Sequence, residues 1–189
     1  MKKLLIILVI FMATINESVA ANTLSERQLH LANLASLEAQ GDLDRLAPAI
    51  NEALDGGVTI NEIKEAFSQL YAYTGFPRSL NALGTLSKVL DARKAEGKKD
   101  DEGKAWKRPK VWDDAKLALK KGTETQTKLS GKPFNYDFCP QDDYYLKAHL
   151  FGDIFAGDQL SAADREIVTV AALASIKGVA PQLAAHQKG

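Results

Sequence analysis

At 189 residues, with 46% hydrophobic and 25% charged residues, the chain has an ordinary globular composition and room for one domain or two small related halves. Its 24 basic and 24 acidic residues cancel, so no overall field draws it to nucleic acid or to an anionic membrane. One cysteine, Cys139, excludes an intrachain disulfide and any dithiol mechanism within the chain.

The first twenty residues read as a leader. Lys2-Lys3 give a positive start, Leu4 to Ala13 an apolar core too short to span a bilayer, and Ser18-Val19-Ala20 the small residues before a cut between Ala20 and Ala21. No cysteine follows the run, which argues against a lipoprotein. The expectation is a bacterial signal peptide, a periplasmic or secreted protein, and no membrane association after cleavage.

Residues 22–92 then read as consecutive short helices. Ser25 caps the first, with Leu31, Leu34, Ala35 and Leu37 inward, and Gly41 ends it. Leu43, Leu46, Ala47, Ile50, Ala53 and Leu54 fall on one face of a second helix, stopped by Asp55-Gly56-Gly57. Thr59-Ile60-Asn61-Glu62 is a capping box for a third, with Ile63, Ala66, Phe67 and Leu70 inward to Thr74. Pro77 suits the first turn of a fourth, whose face is expected at Leu80, Leu83, Ser87 and Leu90.

Residues 93–141 change character. Lysines and arginines are interspersed with acidic residues, which describes a solvated, partly helical connector rather than a binding patch for an anion or an acidic partner. Trp106 and Trp112 are expected to dock it onto the core. Residues 131–140 read as a loop. A helix is expected from Asp142 to Ala156, then a Ser161 to Asp164 capping box. Ile167, Val170, Ala171, Ala174 and Ile176 should face inward on the helix that follows. Gly178 ends that helix, and Pro181 opens a last short one. No segment alternates with period two, so the fold class is all-α.

The order of caps and breaks recurs. Leu24-Ser25 pairs with Leu160-Ser161, and Leu34-Ala35-Ser36-Leu37 with Val170-Ala171-Ala172-Leu173. This predicts a bundle of two related helical repeats that pack together. The second, over residues 142–189, reads as incomplete, because counterparts of Gly56-Gly57 and of the Gly75-Phe76-Pro77 corner do not follow.

The chain resembles the carboxymuconolactone decarboxylase family, which includes the alkyl hydroperoxidase D-like proteins. The resemblance rests on Gly57-Val58-Thr59, Glu62-Ile63, Glu65-Ala66, Tyr71 to Pro77 and Asn81-Ala82 in the first half. In the second it rests on Leu160-Ser161, Arg165 to Ala174, Pro181 to Leu183 and His186. It implies an all-helical fold that assembles into trimers or hexamers.

In the hydroperoxidase branch a glutamate precedes a Cys-x-x-Cys pair and a histidine, a relay that generates a thiolate for attack on peroxide. Glu166 and His186 fall at the glutamate and histidine positions within one residue, but neither thiol is present. The decarboxylase branch needs no thiol. It needs a group that moves a proton as carbon dioxide leaves, and cationic or hydrogen-bonding groups for carboxylates. His186 is the candidate acid/base and Glu166 its orienting partner. Arg165 and His149 are the candidate substrate-binding residues. In the first copy the matching positions are His30 and Ala49, an inert pair.

The expected function is thus decarboxylation of a small carboxylated lactone or related acid, weakened by the unfinished second copy. Two alternatives stay open: a peroxidase or peroxiredoxin-type antioxidant protein, with Cys139 as its one thiol, and a non-catalytic helical assembly module. The histidines are widely separated and the aspartates lack ligand spacing, so no metal site and no cofactor are expected.

Overall fold

The computed structural model describes residues 23–188, so the leader read over residues 1–20 lies outside it. Among the described residues there are helices and no strand. Helix α1 spans Glu26–Gln40, α2 Leu43–Asp55, α3 Ile60–Thr74 and α4 Phe76–Ala95. A 3-10 turn at Lys110–Asp113 leads into α5, Ala115–Ser130. Helix α6, Pro140–Tyr144, runs into a π-helical stretch at Tyr145–Asp153 and a 3-10 turn at Ile154–Ala156. Helices α7, Ala162–Ala174, and α8, Ala180–His186, complete the order.

The predicted caps set these boundaries. Ser25 accepts from the Gln28 amide while the Gln28 side chain accepts from the Ser25 amide. Thr59 and Glu62 form the same reciprocal box. At Ser161 only half of the expected box is present: its hydroxyl accepts from the Asp164 amide at 3.1 Å. The Asp164 carboxylate accepts from the Ser161 hydroxyl at 2.8 Å rather than from its amide, and reaches across to α1, accepting from Gln28 at 3.2 Å and pairing with Arg27 at 3.1 Å. Arg27 also holds Glu62 at 2.5 Å, so one guanidinium ties together the first turns of α1, α3 and α7. Helix α1 turns into α2 through Gly41 at φ 71, the left-handed conformation that a side chain resists.

Helices α1 and α7 lie side by side in parallel. Gln28 meets Asp164 near their starts and Ser36 meets Ser175 at 2.7 Å near their ends. Their apolar faces join those of α2 to α4 in one core, in which Leu31, Leu34, Leu46, Ile50, Ile63, Phe67, Leu70 and Val168 are fully buried. Each such side chain contributes roughly 1.5–3 kcal/mol of burial free energy.

Two faces differ from the expectation. On α4 the buried positions are Ser79, Ala82, Leu86, Val89 and Arg93, while Leu80 and Ser87 are exposed. Small residues win the contact because they let α4 approach α3; the Ser79 hydroxyl donates to the Phe67 carbonyl at 2.8 Å. On α7 the buried positions are Asp164, Arg165, Glu166, Val168, Thr169, Ala172 and Leu173, and Ala174 is exposed. Following apolar spacing alone missed this face because half of it is polar and brings its own partners.

The connector is also more structured than expected. Arg93 belongs to α4 and is buried, with Asp55 at 2.8 Å, Asp100 at 2.5 Å and Asn51 at 3.1 Å. This clamp turns the chain back so that Asp101 and Glu102 carbonyls accept from the Ile60 and Asn61 amides at the start of α3. Helix α5 is long and packs against the π-helical stretch. Glycines permit that crossing: a Cβ on Gly122 would lie 1.6 Å from the Lys147 carbonyl oxygen, and one on Gly152 2.4 Å from that of Ala118. Trp106 and Trp112 are half exposed rather than sunk in the core, with their rings 5.6 Å apart.

Candidate functional site

Glu166 and His186 come together. Helix α7 presents Glu166 from its first half, and the corner through Gly178, at φ 85, brings α8 back alongside. His186 Nδ1 then lies 2.7 Å from Glu166 Oε2. Both side chains are largely buried, at 15% and 11% exposure. A carboxylate oxygen only accepts, so the contact makes Nδ1 the protonated nitrogen and leaves Nε2 as the acceptor. The second carboxylate oxygen, Oε1, is buried without a hydrogen-bond partner.

Tyr73, at the end of α3, adds a third polar group. Its ring meets that of His186 edge to face at 5.6 Å. Burial pushes its hydroxyl well above the ordinary tyrosine range; the Glu166 carboxylate pushes it further, while Thr169 and Arg165 pull it back. Thr169 is near enough to exert that pull, but no hydrogen bond of good geometry satisfies the hydroxyl. Tyr73 falls in the Tyr71 to Pro77 stretch, where nothing in the sequence alone marks it for chemistry. The one positional signal was its place in Tyr71-Ala72-Tyr73-Thr74, one turn before the glycine corner.

Arg165 is adjacent to Glu166 in sequence but points elsewhere. Its guanidinium pairs with Glu65 and donates to Gln69 Oε1 at 2.8 Å, beneath the Phe155 ring at 5.6 Å. Gln69 closes the network by donating to the Arg165 carbonyl at 3.0 Å and to Thr169 Oγ1 at 2.8 Å. At 2% exposure, Arg165 is a buried tie between α3 and α7 and is not presented to a substrate. Gly157 makes room for it, since a Cβ there would strike Glu65 and Arg165.

His149 is not at the dyad either. It sits on the π-helical stretch, with Nδ1 3.0 Å from Asp153 Oδ2, and lines a cavity of about 760 Å³ between α3, the start of α4 and the connector. Neither Glu166 nor His186 lines that cavity. Glu65 and Gln69 line the cavity and hold Arg165, the neighbour of Glu166 in the chain. In the first helical unit, His30 packs close to Gly56 and Ala49 is buried in the core. Among the described residues no cluster of three or more His, Cys, Asp or Glu side chains is placed to hold a metal ion, and no helix is long and apolar enough to cross a membrane.

Residues 8–88 match the carboxymuconolactone decarboxylase family. The matched stretch holds α1 to most of α4, together with Tyr73 and the Thr59-Glu62 box. It begins inside the segment read as a leader and stops before α7 and α8, so Glu166 and His186 lie beyond it. Neither the curated proteins nor the solved structures gave a match. The matched stretch is therefore the scaffold on which α7 packs, lying along α1 and against α3.

Proposed function

We propose that the chain is an exported carboxymuconolactone decarboxylase-like protein that moves a proton as a small carboxylated lactone or related acid loses carbon dioxide. The observation that carries this reading is the 2.7 Å contact between His186 Nδ1 and Glu166 Oε2 in a largely buried setting. Glu166 fixes the ring, and Nε2 carries the mobile proton. When the carboxylate C–C bond breaks, its electron pair passes into the conjugated carbonyl system of the substrate. Nε2, protonated from solvent beforehand, delivers that proton to the carbanionic carbon as carbon dioxide departs, and water reprotonates the ring for the next turnover. The Tyr73 hydroxyl, held neutral by burial, supplies a donor near the developing negative charge.

Turnover in this reading is slow. The cation next to the dyad in sequence, Arg165, is already engaged by Glu65 and Gln69, which leaves the substrate carboxylate without it. The leader ending at Ala20, a periplasmic or external location, and assembly into a trimer or hexamer belong to the same proposal. The test is carbon dioxide release from a panel of carboxylated γ-lactones. Slow release that falls about a hundredfold or more in His186→Ala supports the reading. No release, or release that His186→Ala leaves unchanged, overturns it.

A further inference from the structure

The cavity beside His149 has a composition that the dyad does not explain. One wall is a stacked aromatic pair, Tyr71 and Phe76, with centroids 4.2 Å apart and planes 12° from parallel. The rim also carries Trp106 and Trp112, with their rings 5.6 Å apart. Such surfaces accept the faces of a flat ring. The volume, about 760 Å³, is in the range of small-molecule sites.

Its charged groups are mostly spoken for. Arg108 pairs with Asp113 and stacks on Trp112, Glu65 pairs with Arg165, and His149 pairs with Asp153. Lys64 is different. Its ammonium reaches Asn61 Oδ1 only at 3.5 Å and forms no ion pair among the described residues.

Gln159 is the second independent feature. It lines the cavity and is 8% exposed, yet neither its amide nitrogen nor its oxygen has a hydrogen-bond partner. A buried carboxamide with both groups unmet costs free energy unless something else meets them. Gln69, also in the lining, is fully engaged by Arg165 and Thr169 and so offers a ligand nothing.

We propose that this cavity is a binding site for a flat, ring-bearing carboxylate. The ring lies between the Tyr71–Phe76 wall and the tryptophan rim, the acid group pairs with Lys64, and Gln159 donates to and accepts from polar substituents on the ring. The site is separate from the Glu166–His186 pair and does not depend on the decarboxylase reading.

The probe is 2-naphthoate, with 2-naphthylmethylamine as its cationic counterpart, titrated into the full chain by calorimetry and by nitrogen–proton spectra of the indole groups. Trp106 and Trp112 are the two tryptophans of the chain, so two indole signals report on the rim. The expected result is saturable 2-naphthoate binding that shifts both signals, with the amine at least about tenfold weaker. Lys64→Met and Gln159→Leu should each weaken 2-naphthoate about tenfold. Gln159→Leu also removes an unmet buried amide, so it should melt no lower than the wild type and cannot lose binding by unfolding. Lys64 is exposed, and its variant folds likewise. Absent binding, unshifted indoles, equal affinity for the amine, or unaffected variants would each overturn the proposal. Because His186 is not in the lining, His186→Ala should bind 2-naphthoate as the wild type does, which separates failure of this site from failure of the dyad.

Discussion

Glu166 Oε2 and His186 Nδ1 lie 2.7 Å apart although twenty residues separate them in the chain. The contact exists because two breaks act in sequence. Helix α7 ends at Ala174, and the chain turns through Gly178 before Pro181 restarts it as α8. An acid-to-base pair built across such a corner depends on the corner. Replacing Gly178, at φ 85, by alanine should lose the hydrogen bond before it loses the fold, because a Cβ there is strained even though no neighbour stands in its way. Loss of the His186 low-field ring proton with little change in helicity is the expected outcome, read by proton NMR and circular dichroism.

The neighbouring network should behave as structure rather than as a binding site. Arg165→Met leaves Glu65, itself 11% exposed, without its cation. The expected loss is about 3–5 kcal/mol in urea unfolding, as for a broken buried pair. Adding Glu65→Gln should restore part of it. A substrate-binding Arg165 would show the reverse pattern, with stability kept and only the Michaelis constant raised.

Buried Glu38 gives the fold a pH dependence. Desolvation pushes its carboxyl up from 4.5 to about 7, against the pull of the Thr74 hydroxyl at 2.8 Å and the charge of Arg78. The folded chain therefore keeps this proton when the unfolded chain has released it. Its stabilising effect is full below about pH 4.5 and is lost as pH rises through about 7. Glu38→Gln should abolish that decline and leave the variant more stable than the wild type at about pH 8.5, by roughly 1–3 kcal/mol. Asp164 works in the opposite direction. Burial raises its carboxyl, but bonds from Ser161 and Gln28 and the charge of Arg27 outweigh burial and hold it below the usual range. Its contribution is lost as pH falls. Melting temperatures of the wild type and Glu38→Gln from about pH 5 to about pH 9 check the Glu38 limb, since the Asp164 limb lies below its ordinary value of 3.8. Parallel curves would contradict the assignment to Glu38.

Much of this architecture was legible in local chemistry. Ser25, Thr59, Gly41 and Gly75 state their roles through capping and through φ values that only glycine accepts easily, and these signals need no tertiary context. Glu166 and His186 were singled out through the family resemblance, whose glutamate and histidine positions they occupy, and not through any local signal of their own. The polar face of α7 was not legible, because Arg165 and Thr169 are buried only by virtue of Glu65 and Gln69, which are about a hundred residues away. The same holds for the α4 face, where Ser79 is inward because the Phe67 carbonyl receives its hydroxyl. The cavity was illegible for another reason: its walls come from four separate segments, and Gln159 shows its unmet amide only once they are assembled.

The crossing of α5 with the π-helical stretch rests on two glycines, which the charged sequence around them conceals. Gly122→Ala would force the Lys147 carbonyl away from a contact of 1.6 Å. Backbone cannot yield as a side chain tip does, so the two elements should separate. The expected cost is about 1–3 kcal/mol, as for overpacking. Hydrogen exchange should show faster opening of residues 115–153, with α1 to α3 unchanged.

Cys139 stands at the start of α6, half-buried, and its thiol is not among the partners of Glu166 or His186. Cys139→Ser should therefore leave any peroxide consumption by the protein unchanged. A peroxidase activity lost in that variant would favour the antioxidant reading.

The central claim is that Glu166 holds His186 in one tautomer, with Nδ1 protonated and Nε2 free to take and return a proton. Nitrogen-15 NMR of the His186 ring tests it directly. The account predicts a protonated Nδ1 and an unprotonated, acceptor-type Nε2 in the neutral ring, with the preference lost in Glu166→Ala. An Nε2-protonated ring, or a mixed tautomer that Glu166→Ala does not change, would contradict it.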